Sequence, residues 1–555
     1  MIGKRGVVLI LALLLLGVLG HTILRHDNDS DVNRRSLVYV DGSRYMKAVH
    51  YFGASWPVTF WSDFETSQVD ADLQRIKSDG FNTVILVLPW VGFAEDITTS
   101  NLLYKRFRWL LKRIDDADLN VALRVGFPHS FEPNKDMGTR ALCRRFFTDP
   151  QMRQQWLTYL EKLQSEIGHF ANYIFSFFSW EDFFCALHFF PFGSAQERLE
   201  LARETGYQRW LAERYSLKLI EAAYGQEFAK WEQVPLPGRK SFAYYFYQCF
   251  VDDFYVREFL EPGRRVMPKL SMEVRVDKDP LYLPEGIYWL AHDQRIGSPI
   301  LRGSYWNPSY GARNEGEMLD AETALRNLKF MLDTVSGQGQ DSFHVLEQFN
   351  FIDNTPHLVA TNARIADDEL AVFLDGAAEL LLRNASGYGL WAYRNYADNV
   401  FYNSSFELGL HGWRYQGSAE LTANSSSDKE LILSAGTRLR QTLQPSERFT
   451  DFGYVKQLTL CALLRRGSLG FDLAGQRLAT LTASQDQTQV CVPLSVELWQ
   501  REQQVTVELV ADSDVQFDDV MLYGHVQRLG VYALDGSPGP WLESVRQLNR
   551  QLSVQ

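Results

Sequence analysis

From residue 36 to about 399, short apolar runs alternate with longer amphipathic stretches. Thr83-Val-Ile-Leu-Val-Leu-Pro-Trp90 is a continuous apolar run, the pattern of a parallel strand buried on both faces. Before it, Val69, Leu73 and Ile76 recur at helical spacing, and Gly80 closes the segment as a C-cap does. The alternation continues with a helix over 103–117, a strand over 120–126, a helix over 150–167 and a strand over 173–181. Further strands over 46–56, 269–276, 299–305, 342–347 and 387–393 bring the number to eight. The prediction is an α/β fold, a (β/α)8 TIM barrel over 37–400.

Near Asn399 the character changes. Residues 401–526 carry short alternating strands separated by Ser, Gly, Asn and Asp turns, with no helical period, and predict a β-sandwich. Its opening, Asn403-Ser-Ser-Phe-Glu407-Leu-Gly-Leu-His-Gly412-Trp413, and its close, Phe517-Asp-Asp-Val-Met-Leu-Tyr523, resemble the first and last strands of jelly-roll carbohydrate-binding modules. Beyond it, a Gly- and Pro-rich turn around Asp535-Gly-Ser-Pro leads into a helix over 540–552 with Leu542, Val545, Leu548 and Leu552 on one stripe. This segment has no place in a sandwich and resembles the closing turn and last helix of barrel glycosidases. The sandwich is therefore read as an insertion between strand 8 and helix 8, with residues 527–555 completing the barrel.

In such a barrel the active site lies at the C-terminal ends of the strands, so position on a strand implies a role. Glu181 ends the fourth strand and Glu347 the seventh, and a pair of acids is what cleavage of a glycosidic bond requires. The arrangement resembles the clan of retaining glycosidases with an acid/base Glu and a nucleophilic Glu on those two strands. A second segment, from Trp210-Leu-Ala-Glu-Arg-Tyr215 through Ala223-Tyr-Gly225 to Phe228 and Trp231, resembles one found in family 42 β-galactosidases and their relatives. The resemblance implies double displacement, with Glu347 attacking the anomeric carbon and Glu181 acting as acid and then base. One departure stands out: Trp180 occupies the position where the clan has an Asn that binds the sugar 2-hydroxyl, so galactosidase specificity does not carry over. Trp391, at the end of strand 8, resembles the Trp that often floors the sugar site in the clan. Trp56, Trp90, Trp180 and Trp306 are candidate sugar platforms, Tyr305 a candidate hydrogen-bond partner of the nucleophile, and Arg124 and His129 candidate holders of a carboxylate or hydroxyl. Each of these residue types is also ordinary packing material.

Composition narrows the partners. The chain of 555 residues is 46% apolar, long enough for more than one core, and carries a net charge of −12 without a basic tract, which argues against nucleic acid. Lys4 and Arg5 precede an apolar run over 6–24 that reads as an uncleaved signal anchor, exporting the remainder and tethering it to a membrane, with a cleaved signal peptide and secretion as the alternative. Cys461 and Cys491 lie in two strand-like segments of the sandwich, Cys143 and Cys185 follow two barrel strands, and Cys249 is left over; bridges and buried thiols both remain open. His188, His292 and His344 lack ligand spacing, no phosphate loop or nucleophile elbow is present, and no cofactor or metal is predicted. The expected substrate is an exterior or envelope polysaccharide or oligosaccharide. The alternatives are a catalytically silent glycan-binding barrel in polysaccharide export or assembly, and a transglycosylase.

Overall fold

The computed structural model describes residues 45–553 except 56, 58, 64–65, 90–96, 127–138, 179–189, 239–240, 273–275, 284–285, 292–300, 315, 337–342, 353–361, 398, 424–428, 444–456, 485–488, 496–504 and 525. Eight short strands form one parallel sheet: β1 (Met46–His50), β2 (Thr83–Val87), β3 (Asn120–Arg124), β4 (Tyr173–Phe177), β5 (Leu270–Ser271), β6 (Leu301–Trp306), β7 (Phe343–Phe349) and β8 (Gly387–Leu390). Their order is β5-β4-β3-β2-β1-β8-β7-β6. The ends of this order meet where Gly303 N donates to Met272 O at 3.3 Å, closing the barrel. The strands are apolar on both faces because helices cover the outside and other strands fill the lumen.

Inside, large and small residues are matched. Phe175 and Phe177 project from β4 with ring centroids 4.8 Å apart. Across the lumen Gly303 leaves them room: a Cβ there would lie 2.5 Å from the Phe177 ring and 2.9 Å from Glu347 Cγ. Outside, α1 (Thr66–Ser78) buries Val69, Leu73 and Ile76, and the chain turns at Gly80 with φ +87°. α2 (Ile97–Asp116) starts earlier than its apolar spacing suggests. α3 (Pro150–Ile167) is capped by Asp149, whose side chain accepts from Gln151 N, and has Pro150 in its first turn. α4 (Tyr244–Tyr255) precedes β5, while α5 (Ala321–Ser336) and α6 (Leu370–Asn384) flank β7.

The fifth strand, expected over 269–276, is only two residues long. An antiparallel hairpin, Val276–Leu283 with Gly286–Ala291, follows it. Among the described residues no helix is long and apolar enough to cross a membrane; the apolar run 6–24 lies outside them.

After β8 the chain builds ten antiparallel strands: β9 (Arg414–Gln416), β10 (Ala419–Ala423), β11 (Lys429–Leu433), β12 (Arg438–Leu443), β13 (Gln457–Arg466), β14 (Ser468–Leu473), β15 (Gln476–Thr482), β16 (Gln489–Ser495), β17 (Val505–Ala511) and β18 (Val515–Tyr523). They form two five-stranded sheets, β9-β12-β17-β14-β15 and β10-β11-β18-β13-β16. Alternation places Leu439, Leu443, Val507, Leu509 and Phe471 of the first sheet and Leu431, Leu433, Leu460, Phe517 and Leu522 of the second in the core. Cys461 and Cys491 stand opposite each other on β13 and β16 and form a disulfide. A pairing of Cys143 with Cys185 falls on side chains outside the described residues.

The chain returns through Val526–Gln527, which pairs antiparallel with Tyr396–Ala397. α7 (Leu542–Gln551) then lies against the barrel and buries Leu542, Val545, Leu548 and Asn549. Asn549 accepts from Tyr388 Oη at 2.6 Å and donates to Asp79 O at 2.9 Å, which sets α7 beside β8 and the end of α1. The buried Asp79 carboxylate accepts from Tyr393, Tyr532 and Arg546. At the junction with the sandwich, Asp63 accepts from Ser404 N at 2.9 Å and Arg106 faces Glu407 at 3.6 Å.

Candidate active site

The C-terminal half of the lumen collects a buried polar cluster from three strands. His50 ends β1, Arg124 ends β3, and Glu347 lies in the second half of β7; all three are fully buried. Arg124 Nη2 donates to Glu347 Oε2 and, at 3.1 Å, to Gln348 Oε1. Neighbours on a regular strand point to opposite faces, yet Glu347 and Gln348 both reach Arg124. The reason is a register shift: pairing slips between Val345 and Gln348 against β6, and between Leu346 and Phe349 against β8. A bulge of this kind re-aims side chains. The Arg124 guanidinium is also packed 5.9 Å from the centre of the Phe177 ring.

Arg124 Nε donates to His50 Nε2 at 3.0 Å, and His50 Nδ1 lies 3.1 Å from Leu390 O. The partners fix the tautomer. A carbonyl only accepts, so Nδ1 carries the proton; a guanidinium only donates, so Nε2 carries the lone pair. Burial first, and the Arg124 charge second, hold the His50 pKa well below the usual histidine range, against the opposing bond to Leu390. The ring is therefore neutral. Arg124 donates both ways, on one side to the Glu347 carboxylate and on the other to His50, which donates in turn to the Leu390 carbonyl. The buried guanidinium thus sets a positive charge directly against the Glu347 carboxylate.

Trp391 follows β8 and packs on the His50 end of this cluster, its ring 4.9 Å from His50 and 5.2 Å from Phe52. Tyr305 is almost fully buried; its hydroxyl accepts from Asn307 Nδ2, and its ring meets Tyr310 edge-on at 5.2 Å. Trp306 is placed differently from the expectation. It points out of the lumen and stacks on Phe373 of α6 at 5.4 Å, with Phe349 at 5.7 Å. With no exposed surface it packs the sheet against the helix and offers no face to a sugar. Glu181, Trp180, Trp56, Trp90 and His129 lie outside the described residues, and the distance between the two proposed acids falls with them.

Sequence reasoning missed His50. The available signal was the alternation in Met46-Lys-Ala-Val-His50, which puts Met46, Ala48 and His50 on one face, but a single His there reads as core. Trp210, which heads the segment resembling family 42 enzymes, packs against Tyr207, Tyr215 and Phe250 and donates to Asp253. Among the described residues no group of three His, Cys, Asp or Glu is placed to hold a metal ion.

No protein-family model matches this chain, and no curated protein does. Solved structures similar to it include the exo-β-1,4-mannosidase Op5Man5 from Opitutaceae bacterium strain TAV5, at 15% identity and TM-score 0.40, covering 67% of this chain and 55% of that one. A β-galactosidase from the psychrophilic Marinomonas ef1 is 12% identical at TM-score 0.43, covering 63% of this chain and 54% of its own. GH5_18 from Streptomyces cattleya, solved in complex with GlcNAc, is 14% identical at TM-score 0.37, covering 63% and 72%. The chain thus spans about half the length of the first two.

Proposed function

We propose that the chain is a retaining β-glycoside hydrolase that acts on an exterior or envelope polysaccharide and is held at a membrane by residues 6–24. The observation that carries the reading is Glu347: a carboxylate on β7, at the C-terminal half of a parallel barrel, in contact with a buried arginine whose other partner, His50, packs on a tryptophan. In the first step Glu347 forms an ester bond to the anomeric carbon as the glycosidic bond breaks, and Glu181 gives its proton to the departing oxygen. In the second, Glu181 takes a proton from water, and the water oxygen displaces Glu347. Trp391 serves as the floor on which the sugar ring rests.

The test is hydrolysis of a panel of aryl β-glycosides and polysaccharides, with the first product anomer read by proton NMR. Retention is expected, and Glu347→Gln lowers turnover by roughly a thousandfold or more while glycan binding persists. Full activity in that variant removes Glu347 from the mechanism, and an inverted product removes the two-step path. A second reading, a barrel that binds glycan without cutting it, is favoured by the complete burial of Glu347 and by Trp180 in the place of an Asn. Binding without hydrolysis across the panel would establish it.

A further inference from the structure

We infer that His50 is a positioning residue: as a neutral imidazole held in one tautomer, it sets the direction of Arg124 and, through it, the place of the Glu347 carboxylate. The inference rests on the reading of Glu347 as nucleophile. Arg124 is tethered at two nitrogens, Nε to His50 and Nη2 to Glu347 and Gln348, while Nη1 has no partner among the described residues. A guanidinium is planar and rigid, so a hold on Nε fixes where Nη2 points. Without His50 the group hangs on Nη2 alone and can turn about that contact.

The arrangement works in one protonation state. His50 accepts at Nε2 only while Nδ1 bears the single proton, and Leu390 O holds it there. A doubly protonated ring would set a donor against a donor and a second positive charge against Arg124. Burial and the arginine both disfavour that state. The same ring meets Trp391 at 4.9 Å. One side chain on β1 therefore touches the proposed sugar floor after β8 and, through β3, the proposed nucleophile on β7. A displacement of the reacting atom by about 1 Å costs on the order of a hundredfold in rate, so a residue that touches no substrate can govern turnover.

Two variants separate this role from packing. His50→Gln keeps a neutral donor and a neutral acceptor on one side chain; His50→Leu fills similar space with neither. We expect His50→Leu to lower kcat roughly a hundredfold with KM nearly unchanged, and His50→Gln to recover most of that loss. In the unaltered protein, nitrogen-15 labelling of histidine must show His50 with its proton on Nδ1 at neutral pH, a readout that no misfolded variant can confuse. Equal kcat in the two variants, or a proton on Nε2 at neutral pH, overturns the inference. A wild-type protein that hydrolyses nothing but shows the Nδ1 tautomer overturns the proposed function and this role with it, and leaves the hydrogen-bond geometry standing.

Discussion

The barrel and the sandwich solve the same packing problem with different interiors. In the sandwich most inner positions of both sheets are apolar, with Gln441 bonded to the Tyr402 backbone among them, and the exposed face carries ion pairs such as Arg438 and Arg440 sharing Glu508. In the barrel the lumen holds a buried arginine, a buried glutamate and a buried neutral histidine among phenylalanines and glycines. An apolar core of the right volume stabilises a fold with no polar groups to satisfy; buried charges cost desolvation that their mutual attraction recovers only in good geometry. The lumen, with an arginine and a glutamate at zero exposure, thus carries a larger cost of this kind than the mostly apolar interior of the sandwich. Such costs collect where chemistry is done.

The comparison breaks first at the level of topology. A chain ending at residue 400 lacks α7 and the turn before it, so Asp79 loses Arg546 and Tyr532, Tyr388 loses Asn549, and the fragment is expected to be insoluble. Excision of 401–525 with a short linker is expected to leave a soluble barrel, because Tyr396–Ala397 and Val526–Gln527 already lie side by side. Solubility and circular dichroism of the two shortened chains check this, and a soluble, folded fragment ending at 400 would contradict it. Next in size is the contrast between buried and exposed ion pairs. Arg124→Leu removes one partner of a fully buried ion pair and should cost about 3–5 kcal/mol in urea unfolding. Glu508→Gln, which loosens arginines that are 43% and 44% exposed, should cost under about 1 kcal/mol. Similar losses for the two would erase the distinction drawn here.

The smallest effect is a slope. Because the folded state holds His50 neutral, the two states bind protons equally above about pH 6.5; below that the unfolded chain takes up a proton that the folded one refuses. Stability from this group is full at neutral pH and falls by about 1.4 kcal/mol per pH unit on acidification. Asp63 at the sandwich junction has the opposite sign: burial pushes its pKa up to about 7, so its contribution is lost as pH rises toward neutrality. Melting temperatures between pH 5 and 7.5 should therefore fall less steeply on acidification in His50→Gln than in the wild type, and more steeply in Asp63→Asn.

Most of the barrel was legible because each parallel strand is a dense apolar run with a Gly, Asp or Pro marking the helix before or after it, as at Gly80 and Asp149-Pro150. The fifth strand was not, since two hydrogen-bonded residues leave no period, and the hairpin behind it drew the expected strand too far along the chain. Trp306 was misassigned for a related reason. Tyr305 and Trp306 are equally aromatic, and only the register of β6 decides which one faces the lumen. Arg124 and Glu347 announced themselves as charges in apolar strands. His50 did not, because its role lies in partners on β3 and β8 that no local pattern reveals.

The return of the chain to the barrel also sets a clock. Between Ala397 and Leu542 the ribosome adds the whole sandwich, which at roughly 5–20 residues per second takes on the order of ten seconds. Throughout that interval seven-eighths of a barrel exists with the seat of α7 uncovered: Tyr388 without Asn549, and Asp79 without Arg546. The sandwich can form its disulfide and its core meanwhile, so the domain that begins second is the first able to finish. An apolar seat left open for seconds is the kind of surface that holding chaperones bind, so the interval before the last helix arrives is the one in which this chain is most exposed to aggregation.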